Sequence, residues 1–315
     1  MKLNRILQGN VLDRLKDLPD LSIQCVVTSP PYWGLRDYGS NGQLGLEETP
    51  EEFVENLVKV FREVKRVIKD DGTVWLNLGD SYASSPKGNK TESGLQSKSY
   101  GIGKDVPMKK NINWGECNLK PKDLVGIPWR VAFALQADGW YLRQDIIWHK
   151  PNPMPESVTD RCTKAHEYIF LLSKSAKYFY NHISIQEKAN YDGRKDTIMK
   201  GSEKYKNSGH IFAARGHIRW HENEDGIKIR NKRSVWSINT KPYKEAHFAV
   251  FPPKLPELCI KAGSSEGDIV LDPFFGSGTT GWVAQRLGRK WIGIELNPEY
   301  IKIAEKRFIQ QDLFV

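Results

Sequence analysis

The segment from Ile269 to Glu295 constrains this chain more than any other. Ile269-Val270-Leu271 is a short apolar run of the kind buried in a parallel sheet. Asp272-Pro273-Phe274-Phe275 follows it, then Gly276-Ser277-Gly278-Thr279-Thr280-Gly281, which fits G-x-G-x-x-G, and a second apolar run, Trp291-Ile292-Gly293-Ile294, ends on Glu295. Strand, glycine turn, helix, strand and terminal acid is the order of a nucleoside-binding α/β unit. The glycines let backbone approach a ligand closely, and the acid accepts hydrogen bonds from two ribose hydroxyls. The pattern alone admits NAD, FAD or S-adenosylmethionine. Asp272 narrows the choice, because a carboxylate beside the glycine turn repels a pyrophosphate and suits a cationic ammonium, which S-adenosylmethionine carries without a phosphate. A Walker loop is excluded, since no Gly-Lys-Ser/Thr follows the glycines.

The opening third alternates strand and helix in the same way. Ile23, Cys25, Val26 and Val27 mark a buried strand ending at Thr28. Thr49 suits a helix cap, Pro50 the first helical position, and Phe53, Leu57, Val60, Phe61, Val64, Val67 and Ile68 repeat on one face. Asp70-Asp71-Gly72 reads as the stop, with Thr73–Leu78 as the next strand. Further on, Pro128–Ala137 and Phe248–Ala262 read as helices, and Tyr141–His149 and Glu167–Ser173 as strands. Residues 84–122 are too polar and too long for a tight connection, and are expected to form a mobile basic loop. The predicted architecture is an α/β, Rossmann-like fold: a mostly parallel central sheet, helices on both faces, and an insertion. Its catalytic half is expected over 1–183, the insertion over 184–244 and the cofactor half over 245–315.

That insertion concentrates the charge. The chain carries a net +9, and residues 188–244 hold fourteen Lys/Arg against six Asp/Glu, so one segment supplies nearly the whole surplus. Such a concentration is the footprint of a phosphate-binding surface, with a merely solvated face as the bland alternative. Arg215, Arg219, Arg230, Lys232 and Arg233 are the candidate contacts. Cys25, Cys117, Cys162 and Cys259 stand singly, which reads as isolated buried thiols, not a zinc or disulfide framework. His210, His217 and His221 lack further ligands, so no metal is expected. No stretch has the apolar length of a membrane span and Met1–Arg14 shows no signal-peptide core, which points to an intracellular, cytoplasmic protein without membrane partners.

Thr28-Ser29-Pro30-Pro31-Tyr32-Trp33 follows the first buried strand. Two prolines fix their φ angles and remove two N–H donors, leaving carbonyls free to accept, with a hydroxyl before them and an aromatic plate after. That suits gripping an amine, although Pro-Pro turns are common. Together with the Asp272–Thr280 stretch and His247-Phe248-Ala249-x-Phe251-Pro252 before it, this turn resembles the amino-methylating DNA methyltransferases that use S-adenosylmethionine. The motif order is similar to that of their beta group, over nearly the whole chain outside the loop and the insertion.

The resemblance implies roles for particular residues. Ser29, Pro30, Pro31 and Tyr32 would be catalytic. Asp272, Phe274, Gly276, Ser277, Gly278 and Thr279 would surround the methionine part of the cofactor, with Phe251 and Lys254 at its end. Glu295 would bind the ribose, beside Leu296. Asn10 and Val11 would meet the adenine ring, where relatives commonly carry Asp in place of Asn10. Ser-Pro-Pro-Tyr and the following Trp33-Gly34-Leu35-Arg36-Asp37-Tyr38 resemble the N4-cytosine members, so the expectation is methylation of a flipped cytosine in duplex DNA within restriction-modification, with a possible cognate endonuclease as partner and a monomeric or homodimeric state. Cytosine-C5 chemistry lacks its nucleophilic Cys. N6-adenine or RNA methylation, a nicotinamide-dependent oxidoreductase, and an inert nucleic-acid-binding protein are the alternatives.

Overall fold

A computed structural model of the 315-residue chain describes residues 1–35, 39, 42–83, 117–189, 221–222, 226–240 and 251–312. Expectations placed on Arg36-Asp37-Tyr38, residues 84–116 of the basic loop, His210, Arg215, His217, Arg219 and His247-Phe248-Ala249 lie outside the described residues. The chain divides into two compact units, one formed by Met1–Tyr180 with Ser234–Val315 and the other by Asn181–Arg233.

In the larger unit the apolar runs become strands: β1 (Arg5–Gln8), β2 (Ile23–Thr28), β3 (Ile68–Leu78), β4 (Tyr141–His149) and β5 (His166–Ser173). The smaller unit holds β6 (Glu187–Lys188), β7 (His221–Glu222) and β8 (Lys228–Arg230), and β9 (Val235–Ser237), β10 (Ile269–Asp272) and β11 (Lys290–Glu295) return to the larger one. Among the described residues, eight strands form one sheet in the order β1-β11-β10-β2-β3-β5-β4-β9. Every neighbouring pair is parallel except the two made by β5, which runs against β3 and β4. The fold is therefore the mainly parallel α/β sheet that the alternation predicts. The antiparallel β5 has one local effect: its first residues, His166 and Glu167, lie opposite His149 and Trp148, at the edge where the other strands end.

Helices cover both faces. Helices α1 (Val11–Lys16), α2 (Pro50–Val67) and α3 (Ile127–Ala137) close one core over Val26, Val74, Leu76, Phe170 and Leu172. Helices α4 (Lys254–Gly263), α5 (Thr279–Arg286) and α6 (Pro298–Asp312) pack in series, with α4 against β2 and β3. Helix α2 shows how the sequence builds one layer. The Thr49 hydroxyl accepts from the Glu52 amide at 3.1 Å, Pro50 opens the first turn, and Phe53, Leu57, Val60, Phe61, Val64 and Val67 are all 0% exposed. Each of those side chains contributes about 2 kcal/mol of burial.

Two local expectations are corrected. Ile68 belongs to β3 and not to α2, and Asp70-Asp71-Gly72 lies inside that strand's span. Pairing of Ile68 with Ile23, and the Gln24 amide donating to Asp71 at 3.2 Å, pull the segment onto the sheet before a loop can form. Cys162 is exposed, unlike Cys25, Cys117 and Cys259; burial pushes the Cys25 thiol up to about 12, which leaves it inert.

Candidate active site

The glycine turn lies between β10 and α5, on the edge where β1, β11 and β10 all end. Gly276 takes φ +50°, in the left-handed region that glycine tolerates, and its amide donates to Glu295 Oε2 at 2.7 Å. The other carboxylate oxygen, Oε1, accepts from the Asn297 amide at 2.8 Å, so backbone amides aim the Glu295 carboxylate. Burial raises the Glu295 carboxyl above its ordinary value. A Cβ built on Gly276 meets no atom within 4 Å, so the turn borders open space beside a hydrogen-bond-accepting acid. The ribose hydroxyls of a nucleoside fit that acceptor.

Asp272 forms the floor. It is 2% exposed, and its Oδ1 accepts from the Thr28 hydroxyl at 2.7 Å and the Phe274 amide at 3.1 Å. Burial pushes its carboxyl up to about 7 against the hydrogen bonds that favour ionisation. Ser277 and Thr279 are nearly buried as well, with Arg307 of α6 donating to the Thr279 hydroxyl at 2.7 Å and the Ser277 carbonyl at 3.3 Å. Phe274 packs against the core, and Leu296 is half-buried just past Glu295. Asn10 caps α1: its Oδ1 accepts from the Leu12 amide at 2.9 Å, and Val11, 8% exposed, follows. Gly9 donates to the Glu295 carbonyl at 2.9 Å, which brings this cap beside the acid. The helix expected from Phe248 opens only at Lys254, after Pro252 and Pro253, so Phe251 lies three residues before α4 while Lys254 begins it and pairs with Glu257 at 3.0 Å.

The proline turn continues from β2, the immediate neighbour of β10. Because Thr28 and Asp272 are hydrogen-bonded, the segments the sequence places 244 residues apart share one edge of two adjacent strands. The Tyr32 hydroxyl donates to Glu167 Oε2 at 2.7 Å and accepts from Ser29 Oγ at 3.3 Å. One face of its ring lies on Gly79, where an added Cβ would stand 2.5 Å from Tyr32 Cε2. Only a residue without a side chain permits that approach. Gly79→Ala is therefore expected to lower stability by about 1–3 kcal/mol as ring or strand shifts, a loss read from urea unfolding.

Comparison with known proteins agrees with this geometry. A model of the N6/N4 DNA methylase family, described as DNA methylase, matches residues 23–306. The chain belongs to that family. It is 47% identical over 308 residues to the type II methyltransferase M.XycI of Xanthomonas campestris pv. cyanopsidis, covering 98% of this chain and 88% of that one. It is 46% identical to M.Cfr9I of Citrobacter freundii over the same shares. In fold it is similar to the PvuII DNA methyltransferase, described as cytosine-N4-specific, with a TM-score of 0.62 at 22% identity, covering 98% of this chain and 87% of that chain. The chain is thus a DNA methyltransferase dependent on S-adenosylmethionine.

Around this methylase's proline turn lie groups that motif reading passes over. Asn77 Nδ2 donates to Glu167 Oε2 at 3.1 Å and to the Tyr168 carbonyl at 3.1 Å, and Lys150 forms an ion pair with Glu167 Oε1. Lys164 donates to the Asp80 carbonyl at 2.8 Å; burial lowers its pKa, and burial followed by Lys164 lowers that of His166. The signal in the sequence is slight: His166-Glu167 merely precedes an apolar run. In the smaller unit, Arg230, Lys232 and Arg233 all reach Glu187, at 3.1, 3.1 and 2.6 Å. Three cations share one carboxylate there.

Proposed function

We propose that the chain methylates the exocyclic N4 of a cytosine swung out of duplex DNA, as the modification partner of a restriction endonuclease. The observation that carries this reading is the Thr28–Asp272 hydrogen bond at 2.7 Å, which joins the end of the strand before the proline turn to the floor of the glycine turn. An amine held by one turn and a methyl donor held by the other then meet across a single strand boundary.

The cofactor supplies an electrophilic methyl group on a sulfonium. Glu295 accepts from the ribose hydroxyls, the Gly276–Thr279 turn and Phe274 flank the methionine part, Asp272 supplies negative potential under its ammonium, and Asn10 and Val11 border the adenine. The target nitrogen is a poor nucleophile because its lone pair is delocalised into the ring. Ser29 Oγ and the Pro30 carbonyl accept from its two N–H groups, which turns that lone pair out of the ring plane. Tyr32, backed by Gly79, is the stacking plate for the extruded base. The work is positioning and electrostatics, with no covalent bond between protein and base. Arg230, Lys232 and Arg233 hold phosphates, with Arg215 and Arg219 as further contacts in the same basic stretch.

Cytosine is favoured over adenine by the Ser-Pro-Pro-Tyr turn and by the printed specificity of the PvuII enzyme, to which the fold is similar. The relatives named as type II methyltransferases support the restriction-modification role. Mass spectrometry of nucleosides from DNA treated with the protein and isotope-labelled S-adenosylmethionine tests the reading. N4-methylcytosine is expected; labelled N6-methyladenine overturns the base assignment.

A further inference from the structure

We infer that Glu167 sets the hydrogen-bond polarity of the amine-gripping turn, acting through Tyr32 as a positioning residue. This rests on the proposed role of Ser29 as an acceptor for the target amine, and it applies equally to cytosine and adenine.

A hydroxyl has one proton to donate and two lone pairs. In an isolated Ser-Pro-Pro-Tyr turn the Ser29 hydroxyl is free to point its proton at the incoming nitrogen, which would oppose the amine's own N–H groups. The chain of contacts behind it removes that freedom. Glu167 receives three donors: the Tyr32 hydroxyl at 2.7 Å and the Asn77 amide at 3.1 Å on Oε2, and the Lys150 ammonium on Oε1. The Asn77 orientation is fixed, because both groups near its Nδ2, Glu167 and the Tyr168 carbonyl, can only accept. Its Oδ1, 3.4 Å from the Tyr32 hydroxyl, is the longer and weaker of the two destinations for the Tyr32 proton.

Tyr32 therefore gives its one proton to Glu167. Only the Ser29 proton remains to bridge the 3.3 Å between Ser29 Oγ and Tyr32 Oη, so Ser29 donates to Tyr32. With its proton spent, Ser29 Oγ turns lone pairs alone toward the amine. The order of donors runs from amine to Ser29 to Tyr32 to Glu167, and each link fixes the next.

Glu167 is brought to this position by chain direction. Because β5 is antiparallel to β3 and β4, its second residue stands at the edge where β2 and β3 deliver Ser29, Tyr32 and Asn77.

Two conservative variants test the inference in single-turnover assays on duplex DNA, with S-adenosylmethionine affinity measured separately by calorimetry. Tyr32→Phe keeps the stacking ring and removes the link; Glu167→Gln replaces an acceptor by a group able to donate toward Tyr32. Each is expected to lower the methyl-transfer rate about 10- to 100-fold with the cofactor Kd within about twofold. Combining them is expected to cost no more than the worse single change, since both break one chain. A merely structural role for Glu167 would weaken cofactor or DNA binding along with the rate. Tyr32→Phe at the wild-type rate overturns the inference, even if Glu167→Gln does not fold, and so do losses that multiply in the double variant. Absence of methylated product from the wild-type protein would count against the proposed function instead.

Discussion

Alanine at Ser29 is expected to lower the methyl-transfer rate by about 100- to 1,000-fold while leaving the S-adenosylmethionine Kd within about twofold. The size follows from the task assigned to the hydroxyl. In the proposed mechanism it is one of two acceptors that pull the target amine toward a tetrahedral shape, and removing one positioned partner of a developing charge typically costs two to three orders of magnitude. The sparing of cofactor affinity follows from placement, since Ser29 projects from β2 whereas Gly276 and Glu295 belong to β10's turn and to β11. Rapid-quench transfer with labelled cofactor gives the rate and calorimetry gives the Kd. A variant that transfers at the wild-type rate removes Ser29 from the chemistry.

Asparagine at Asp272 should act on the opposite partner. The amide keeps an oxygen for the Thr28 hydroxyl and the Phe274 amide, so the fold is retained, while the charge beneath the glycine turn is lost. S-adenosylmethionine affinity is expected to fall about 10- to 100-fold, the usual worth of a charged interaction in a buried setting. The pH dependence gives a second and independent readout. Burial holds the folded carboxyl at about 7 against an ordinary 3.8, so the folded state keeps a proton that the unfolded chain releases. Between those values the unfolded state binds fewer protons, and the contribution of Asp272 to stability falls as pH rises, ending near 7. Cofactor affinity moves the other way, because the ammonium prefers the ionised carboxyl: it should strengthen as pH climbs toward 7 and level off above. Asp272→Asn should flatten both trends relative to wild type, in denaturant unfolding and in calorimetry across pH 5.5–8. A wild-type Kd in the variant at pH 8 would show that the carboxylate has no part in binding.

Much of this was legible in the chain because local rules and tertiary structure agree. Thr49-Pro50 with apolar residues at helical spacing specified α2, and Ile269–Glu295 specified strand, turn, helix and strand without reference to anything distant. Ile68 reads as helix because the apolar period of a helix and the buried start of a strand overlap at one residue, and only pairing with Ile23 decides between them. Glu167 is hidden in the sequence for a deeper reason. The rule that functional residues follow strands assumes parallel order, and nothing in Glu167–Ser173 reveals that this strand enters from the ligand edge. The basic stretch was legible as charge alone; that Arg230, Lys232 and Arg233 converge on Glu187 required coordinates.

The hairpin of β4 and β5 gives the molecule an unequal tolerance to change. Its connection, residues 150–165, opens at the edge where β2, β3 and β10 end, and the segment can lengthen around Pro153–Pro155, away from Lys150 and Lys164, whose bonds to Glu167 and the Asp80 carbonyl hold its two ends. Within β5 no such latitude exists. One residue inserted between Glu167 and Tyr168, with the rest of β5 held in register, would reverse the side of the sheet that Glu167 faces, carrying the carboxylate away from Tyr32 while sparing the opposite half of the sheet. Such a protein would still load its methyl donor and would deliver it slowly.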